Sequence, residues 1–132
     1  MKWAYYPGCS ARSTCAELND ATHRVARKLG VDLVQLESAT CTGARELRAI
    51  DPMGFNTLNV RILALAEQQN LPLLTICNTC TLNVLDAHAA FVQEPDLARE
   101  ATAASEAGQG AGRRGANPFD DIDVPSWVVK DE

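Results

Sequence analysis

Five cysteines occur in the 132 residues, and four of them fall at positions that suggest shared chemistry. Cys9 stands alone after Tyr5-Tyr6-Pro7-Gly8. Cys41 stands alone before Thr42-Gly43. Cys77 and Cys80 form a CxxC pair. Thiolates are soft ligands suited to zinc or to iron–sulfur clusters. A CxxC at the start of a helix can also act as a redox dithiol, because that position activates its first thiol. Three classes of chemistry are therefore open: an iron–sulfur centre, a four-thiolate structural zinc, and dithiol–disulfide exchange.

The surrounding elements decide whether these residues can meet. Lys2 to Tyr6 reads as a short strand, broken by Pro7-Gly8. A helix is expected from a Ser13 or Thr14 cap to about Leu29, with Leu18, Thr22, Val25, Ala26 and Leu29 on its buried face. Gly30 ends it. Val31 to Leu36 reads as a second strand. Ala44 to Ile50 is expected to be a short helix, closed by Asp51-Pro52. A longer one follows from about Phe55 to Gln69, with Leu58, Ile62, Leu65 and Ala66 buried. Leu71 to Ile76 reads as a third strand, and Cys77 opens a last helix to about Val92.

Alternating strands and helices imply an α/β fold, a small open parallel sheet of about three strands with helices packed on it. In such a sheet every strand ends at the same edge, where α/β folds place their sites. Cys9, Cys41 and the Cys77/Cys80 pair each follow a strand, so all four are expected to converge on a metal site there. Helix N-termini at that edge favour an anionic, thiolate-bound centre. Two singletons with one CxxC match neither the paired spacing of zinc ribbons nor that of bacterial ferredoxins. Cys15 is expected inside the first helix as a small core residue, with a place near the metal open to it. His23 and His88 have no partner at ligand spacing. Asp120, Asp121 and Asp123 read as a solvated acidic run.

Residues 1–93 hold eight basic and eight acidic side chains, whereas residues 94–132 hold four basic and nine acidic and carry the net charge of −5. The cysteine-bearing domain is expected over 1–93. A possible helix covers 94–107, and a flexible glycine-rich linker and acidic tail occupy 108–132. The absence of a basic stripe argues against nucleic acid. No apolar run reaches membrane-spanning length, and the first residues lack the apolar core of a secretion signal. A cytoplasmic location with reduced thiols is the expectation.

The segments Tyr5-Tyr6-Pro7-Gly8-Cys9-Ser10, Cys41-Thr42-Gly43-Ala44 and Cys77-Asn78-Thr79-Cys80 together resemble the cysteine-rich CCG domain family. The likeness covers residues 2 to about 93. Within the family it is to the N-terminal half of the heterodisulfide reductase B subunits, which cleave the disulfide of coenzymes M and B. Related domains occur in succinate dehydrogenase and glycolate oxidase iron–sulfur subunits. The resemblance implies an iron–sulfur electron-transfer subunit of a heterodisulfide-reductase-like oxidoreductase complex, not active alone. It implies Cys9, Cys41, Cys77 and Cys80 as the ligands. Its partners would be an iron–sulfur or flavin subunit, or a second copy of the chain. Thr42 replaces the family's fifth cysteine, which bridges a non-cubane cluster. That leaves a [4Fe–4S] cubane, or zinc, as the centre four thiolates would hold. The family's second repeat has no counterpart in this sequence.

Overall fold

The computed structural model describes residues 1–94, 96, 97, 99, 100 and 103. Of the helix expected over 94–107, residues 96, 97, 99, 100 and 103 are helical. The other residues of that stretch beyond Glu94, and the linker and acidic tail over 108–132, lie outside the described residues.

The chain runs β1 (Lys2–Tyr6), α1 (Cys9–Arg12), α2 (Ala16–Lys28), β2 (Asp32–Gln35), α3 (Glu46–Ile50), α4 (Pro52–Gln68), β3 (Leu73–Thr75) and α5 (Asn78–Gln93). The strands form one parallel sheet in the order β2-β1-β3. Trp3 pairs with Leu33 and Tyr5 with Gln35 on one side, and Ala4 pairs with Leu73 and Tyr6 with Thr75 on the other. The first strand is thus the middle one, and its three last residues are buried. The three-stranded α/β architecture is the one expected. β2 and β3 are shorter than the apolar runs that announced them, because only the inner residues reach the ladder.

Alternate residues of a strand face opposite sides of the sheet. Ala4 and Tyr6 join Leu36, Ile62, Leu65, Ala66, Cys80 and Val84 in the main core, which α4 and α5 build. Burying a side chain such as Ile62 contributes roughly 1.5–3 kcal/mol. Phe55, Ala87 and Phe91 form a second cluster where the same two helices meet. Arg48 of α3 lies 5.8 Å from the Phe55 ring and forms an ion pair with Asp86 of α5, tying the short helix to the longer ones.

Tyr5 faces the other side, toward α2. Its hydroxyl donates to Asn19 Oδ1 at 2.8 Å, and its ring meets His23 edge-on, with centroids 5.3 Å apart. This contact corrects the buried face expected for the first helix. Ala26 is buried, Thr22 is half-buried, and Leu18, Val25 and Leu29 are exposed. The partners that Tyr5 finds on α2 turn Asn19, Thr22, His23 and Ala26 toward the sheet, and the bulky apolar members of the stripe are left outside.

Two further corrections concern helix starts. The single helix expected from Ser13 or Thr14 is two helices separated by a turn. Ser10 O accepts from both Ser13 N and Cys15 N, and Cys15 is the residue that precedes α2 rather than one inside it. Asp51-Pro52 ends α3 and also begins α4: Asp51 Oδ1 accepts from Gly54 N at 2.9 Å, and Pro52 occupies the first turn, where its missing N–H costs nothing. In α4, Ile62, Leu65 and Ala66 are buried as expected, while Leu58 is only half-buried and Asn56 and Asn59 take up core positions.

Candidate metal centre

All four strand-following cysteines lie beyond the C-terminal end of the sheet. Cys9 opens α1 directly after β1, Cys41 lies on the loop after β2, and Cys77 precedes α5 directly after β3. Their sulfurs fall into two pairs. Cys41 Sγ is 4.0 Å from Cys9 Sγ, and both residues are exposed. Cys77 Sγ accepts from Cys80 N at 3.5 Å at the start of α5, with Cys77 half-buried and Cys80 buried.

Gly8 lies against the inner pair and adjoins the outer pair along the chain. It precedes Cys9, with φ at +81°. A Cβ there would stand 3.3 Å from Cys80 Sγ and 3.9 Å from Cys77 Sγ. Only a residue without a side chain leaves the sulfurs this space and adopts this backbone without strain. Tyr6 closes the site from beneath. Burial is the main cause that pushes its phenol well above the usual tyrosine range, and charge on Cys80, Cys41 and Cys9 adds to it. Its hydroxyl also interacts directly with the Cys80 thiol.

The loop carrying Cys41 has no regular structure, so its carbonyls need side-chain partners. Arg12 Nη2 donates to Leu36 O at 2.7 Å, and Nη1 donates to Ala39 O at 3.4 Å. Tyr6 Oη donates to Thr40 O at 2.7 Å. Asn59 Nδ2 donates to Thr42 O at 3.0 Å, and Asn83 Nδ2 donates to Ala44 O at 2.7 Å. These bonds hold a turn in which Gly43 and Ala44 both have positive φ, +91° and +53°. A non-glycine residue in that region persists only where its surroundings over-determine it. At Gly43 a Cβ would collide with Leu47, 2.7 Å away.

Thr42 is almost wholly buried, with 1% of its surface exposed. Its hydroxyl lies 3.7 Å from Cys80 Sγ and 3.1 Å from Asn83 Nδ2. The Cys80 thiol is pushed up to about 11, chiefly by burial and then by its hydrogen bond with Cys77, while contacts with Thr42 and Tyr6 pull the other way. The fifth cysteine, Cys15, is half-buried, and its sulfur meets Thr14 Oγ1 at 3.9 Å.

The donor set and the space beside Gly8 fit a group held by four thiolates. Among the described residues, no three His, Cys, Asp or Glu side chains stand close enough around one point to hold a single ion. Arg12, Asn59 and Asn83 did not stand out from the sequence, and Tyr6 and Gly8 did so only as members of the segment that leads to Cys9. A signal existed for two of them. Asn59 and Asn83 are amides in otherwise apolar helix faces, and buried amides are kept where they bind something.

A family model described as a cysteine-rich domain, CCG, matches residues 3–85. Over 88 residues the chain is 39% identical to the 8-methylmenaquinol:fumarate reductase membrane anchor subunit of Wolinella succinogenes, covering 67% of this chain and 31% of that protein. Over 97 residues it is 28% identical to the B subunit of the ferredoxin/F(420)H(2)-dependent CoB-CoM heterodisulfide reductase of Methanosarcina acetivorans, covering 73% and 32%. Over 101 residues it is 23% identical to a protein of Archaeoglobus profundus described as like the B subunit of heterodisulfide reductase, covering 76% and 34%. The chain spans about a third of the length of these relatives. Among the described residues no helix is long and apolar enough to cross a membrane. The match over residues 3–85 covers more than half of the chain, and the chain belongs to the cysteine-rich CCG domain family.

Proposed function

We propose that this chain is an iron–sulfur electron-transfer subunit of a heterodisulfide-reductase-like oxidoreductase complex, with Cys9, Cys41, Cys77 and Cys80 as the ligands of a [4Fe–4S] cluster. The observation that supports this reading is the placement of two sulfur pairs, the inner one against Gly8, at one end of a parallel sheet. The relatives are named as subunits of reductases, which supports a partner with flavin or iron–sulfur, or a second copy of this chain. When bound, the cluster supplies a one-electron store.

The chain's own residues do the rest. Cys77 and Cys80 anchor the inner side on α5, and Tyr6 and Thr42 exclude water there. Cys9 and Cys41 form the solvent-facing side, through which a partner's centre can be approached. The N-terminus of α5 favours negative charge at Cys77. Thr42 stands where the family's bridging thiolate would be, so the centre is a cubane and the chain alone does not cleave heterodisulfides.

Anaerobic reconstitution tests this reading. The product should be brown, with broad visible absorption and matching iron and acid-labile sulfide. Zinc without sulfide would replace it by a structural zinc or interaction module, whose fold a chelator should melt. A second reading, dithiol exchange by Cys77 and Cys80, draws on the Cys77 sulfur receiving an N–H at a helix start. Metal-free protein that reduces a model disulfide, and loses this with Cys77→Ser, would favour it.

A further inference from the structure

Thr42 has a polarity that its neighbours dictate. A threonine hydroxyl owns one hydrogen and can accept as well. Asn83 Nδ2 lies 2.7 Å from Ala44 O, which can only accept, so the amide must turn its nitrogen that way. The same nitrogen lies 3.1 Å from Thr42 Oγ1 and donates its second hydrogen there. The hydroxyl is an acceptor on that side, and its own hydrogen points to the remaining neighbour, Cys80 Sγ at 3.7 Å. Thr42, Asn83 and Cys80 are all buried, so water does not compete for these bonds. Asn59, which donates to both Thr42 O and Phe55 O, holds the Thr42 backbone against α4.

We propose that Thr42 is a positioning residue that delivers a fixed hydrogen bond to the Cys80 sulfur, with its direction set by Asn83, and thereby raises the reduction potential of the centre Cys80 holds. This rests on the iron–sulfur reading above. The physical ground is that a hydrogen bond to a ligand sulfur strengthens as the centre gains negative charge, so it favours the reduced form. Reduction here takes one electron from an external, dithionite-poised mediator, and no bond forms or breaks. The residue standing at the family's fifth cysteine thus exchanges a bond to iron for a proton aimed at a neighbouring sulfur.

The test is a mediator-coupled redox titration of the reconstituted full chain, followed by EPR, with iron and sulfide measured on each sample. Thr42→Val keeps the shape and removes the hydroxyl, Thr42→Ala removes both, and Thr42→Ser keeps the donor. Serine should hold the wild-type potential, and valine and alanine should move it to more negative values at unchanged iron content. Fully loaded valine and alanine variants with the wild-type potential would overturn the proposal. Iron uptake lost in both but kept in serine would overturn it too, since the hydroxyl would then serve only folding. A wild-type chain without iron and sulfide is a separate failure, that of the parent reading, recognised before any variant is compared.

Discussion

The sulfurs of Cys9 and Cys41 lie 4.0 Å apart, although 32 positions separate them in the chain. A disulfide needs about 2.05 Å between sulfurs, a gap that small side-chain rotations can close when both residues are exposed. In metal-free protein exposed to air, Cys9 and Cys41 should therefore cross-link before the other thiols. Peptide mapping without reductant should recover the joined pair, and reductant should restore metal uptake. A first cross-link at Cys77–Cys80 would show that the outer pair does not approach in solution.

Single Cys→Ser changes at positions 9, 41, 77 and 80 should each remove most of the bound iron. Cys15→Ser should leave it, since Cys15 sits at the turn before α2 with its sulfur against Thr14. Iron counted per protein after reconstitution checks this. Loss on Cys15→Ser would add a fifth ligand.

Thr42→Cys restores the residue the family carries. The new sulfur would be buried where the hydroxyl now stands, 3.7 Å from Cys80 Sγ. The EPR or Mössbauer spectrum of the loaded protein should change in type. Identical spectra at full iron loading would mean that position 42 does not face the cluster.

Gly8→Ala should damage fold and site together. The backbone at φ +81° and ψ +166° lies in a region essentially reserved for glycine and costs a residue with a side chain about 1–3 kcal/mol. The added methyl would also press on the Cys80 sulfur and the Cys77 Cβ, each 3.3 Å away. A lower Tm for metal-free protein, with iron content below that of the wild type, is the expected pair of results.

Alkali should destabilise the metal-free protein. Burial is the main cause that raises the phenols of Tyr5 and Tyr6, and together with Cys77 it takes the Cys80 thiol from 9.0 to about 11. A raised value in the folded state means that the unfolded chain ionises first and binds fewer protons, so stability falls as pH rises. The contribution is intact below about pH 9 and is lost as pH climbs through 11. Thermal melts from pH 7 to 11 should be flat at first and then decline. A Tm that rises above pH 9 would contradict the buried placement of these groups.

The parallel sheet and the gathering of four cysteines at its end were legible because strand-forming runs and cysteines alternate along the chain. The packing face of α2 was not, because its apolar residues Leu18, Val25 and Leu29 share one face while the neighbouring face holds the partner for Tyr5. Periodicity locates a stripe and says nothing of a polar contact waiting on the central strand. The loop around Cys41 was opaque for a related reason. Its order comes from Arg12, Tyr6, Asn59 and Asn83, each at least 17 positions along the chain from the carbonyl it holds, and no local pattern announces such bonds. Asp51 was legible as the end of α3 but not as the start of α4, because one residue both closes the first helix and caps the second.

The two outer strands of the sheet are short, four residues in β2 and three in β3. Their outward backbone groups could template another chain's strand, and an edge this brief offers few successive bonds to such an intruder. Brevity here is a defence against runaway stacking. It also leaves an edge too brief to carry a strand-to-strand assembly by itself, so a partner that approaches Cys9 and Cys41 has to be held by side chains as well.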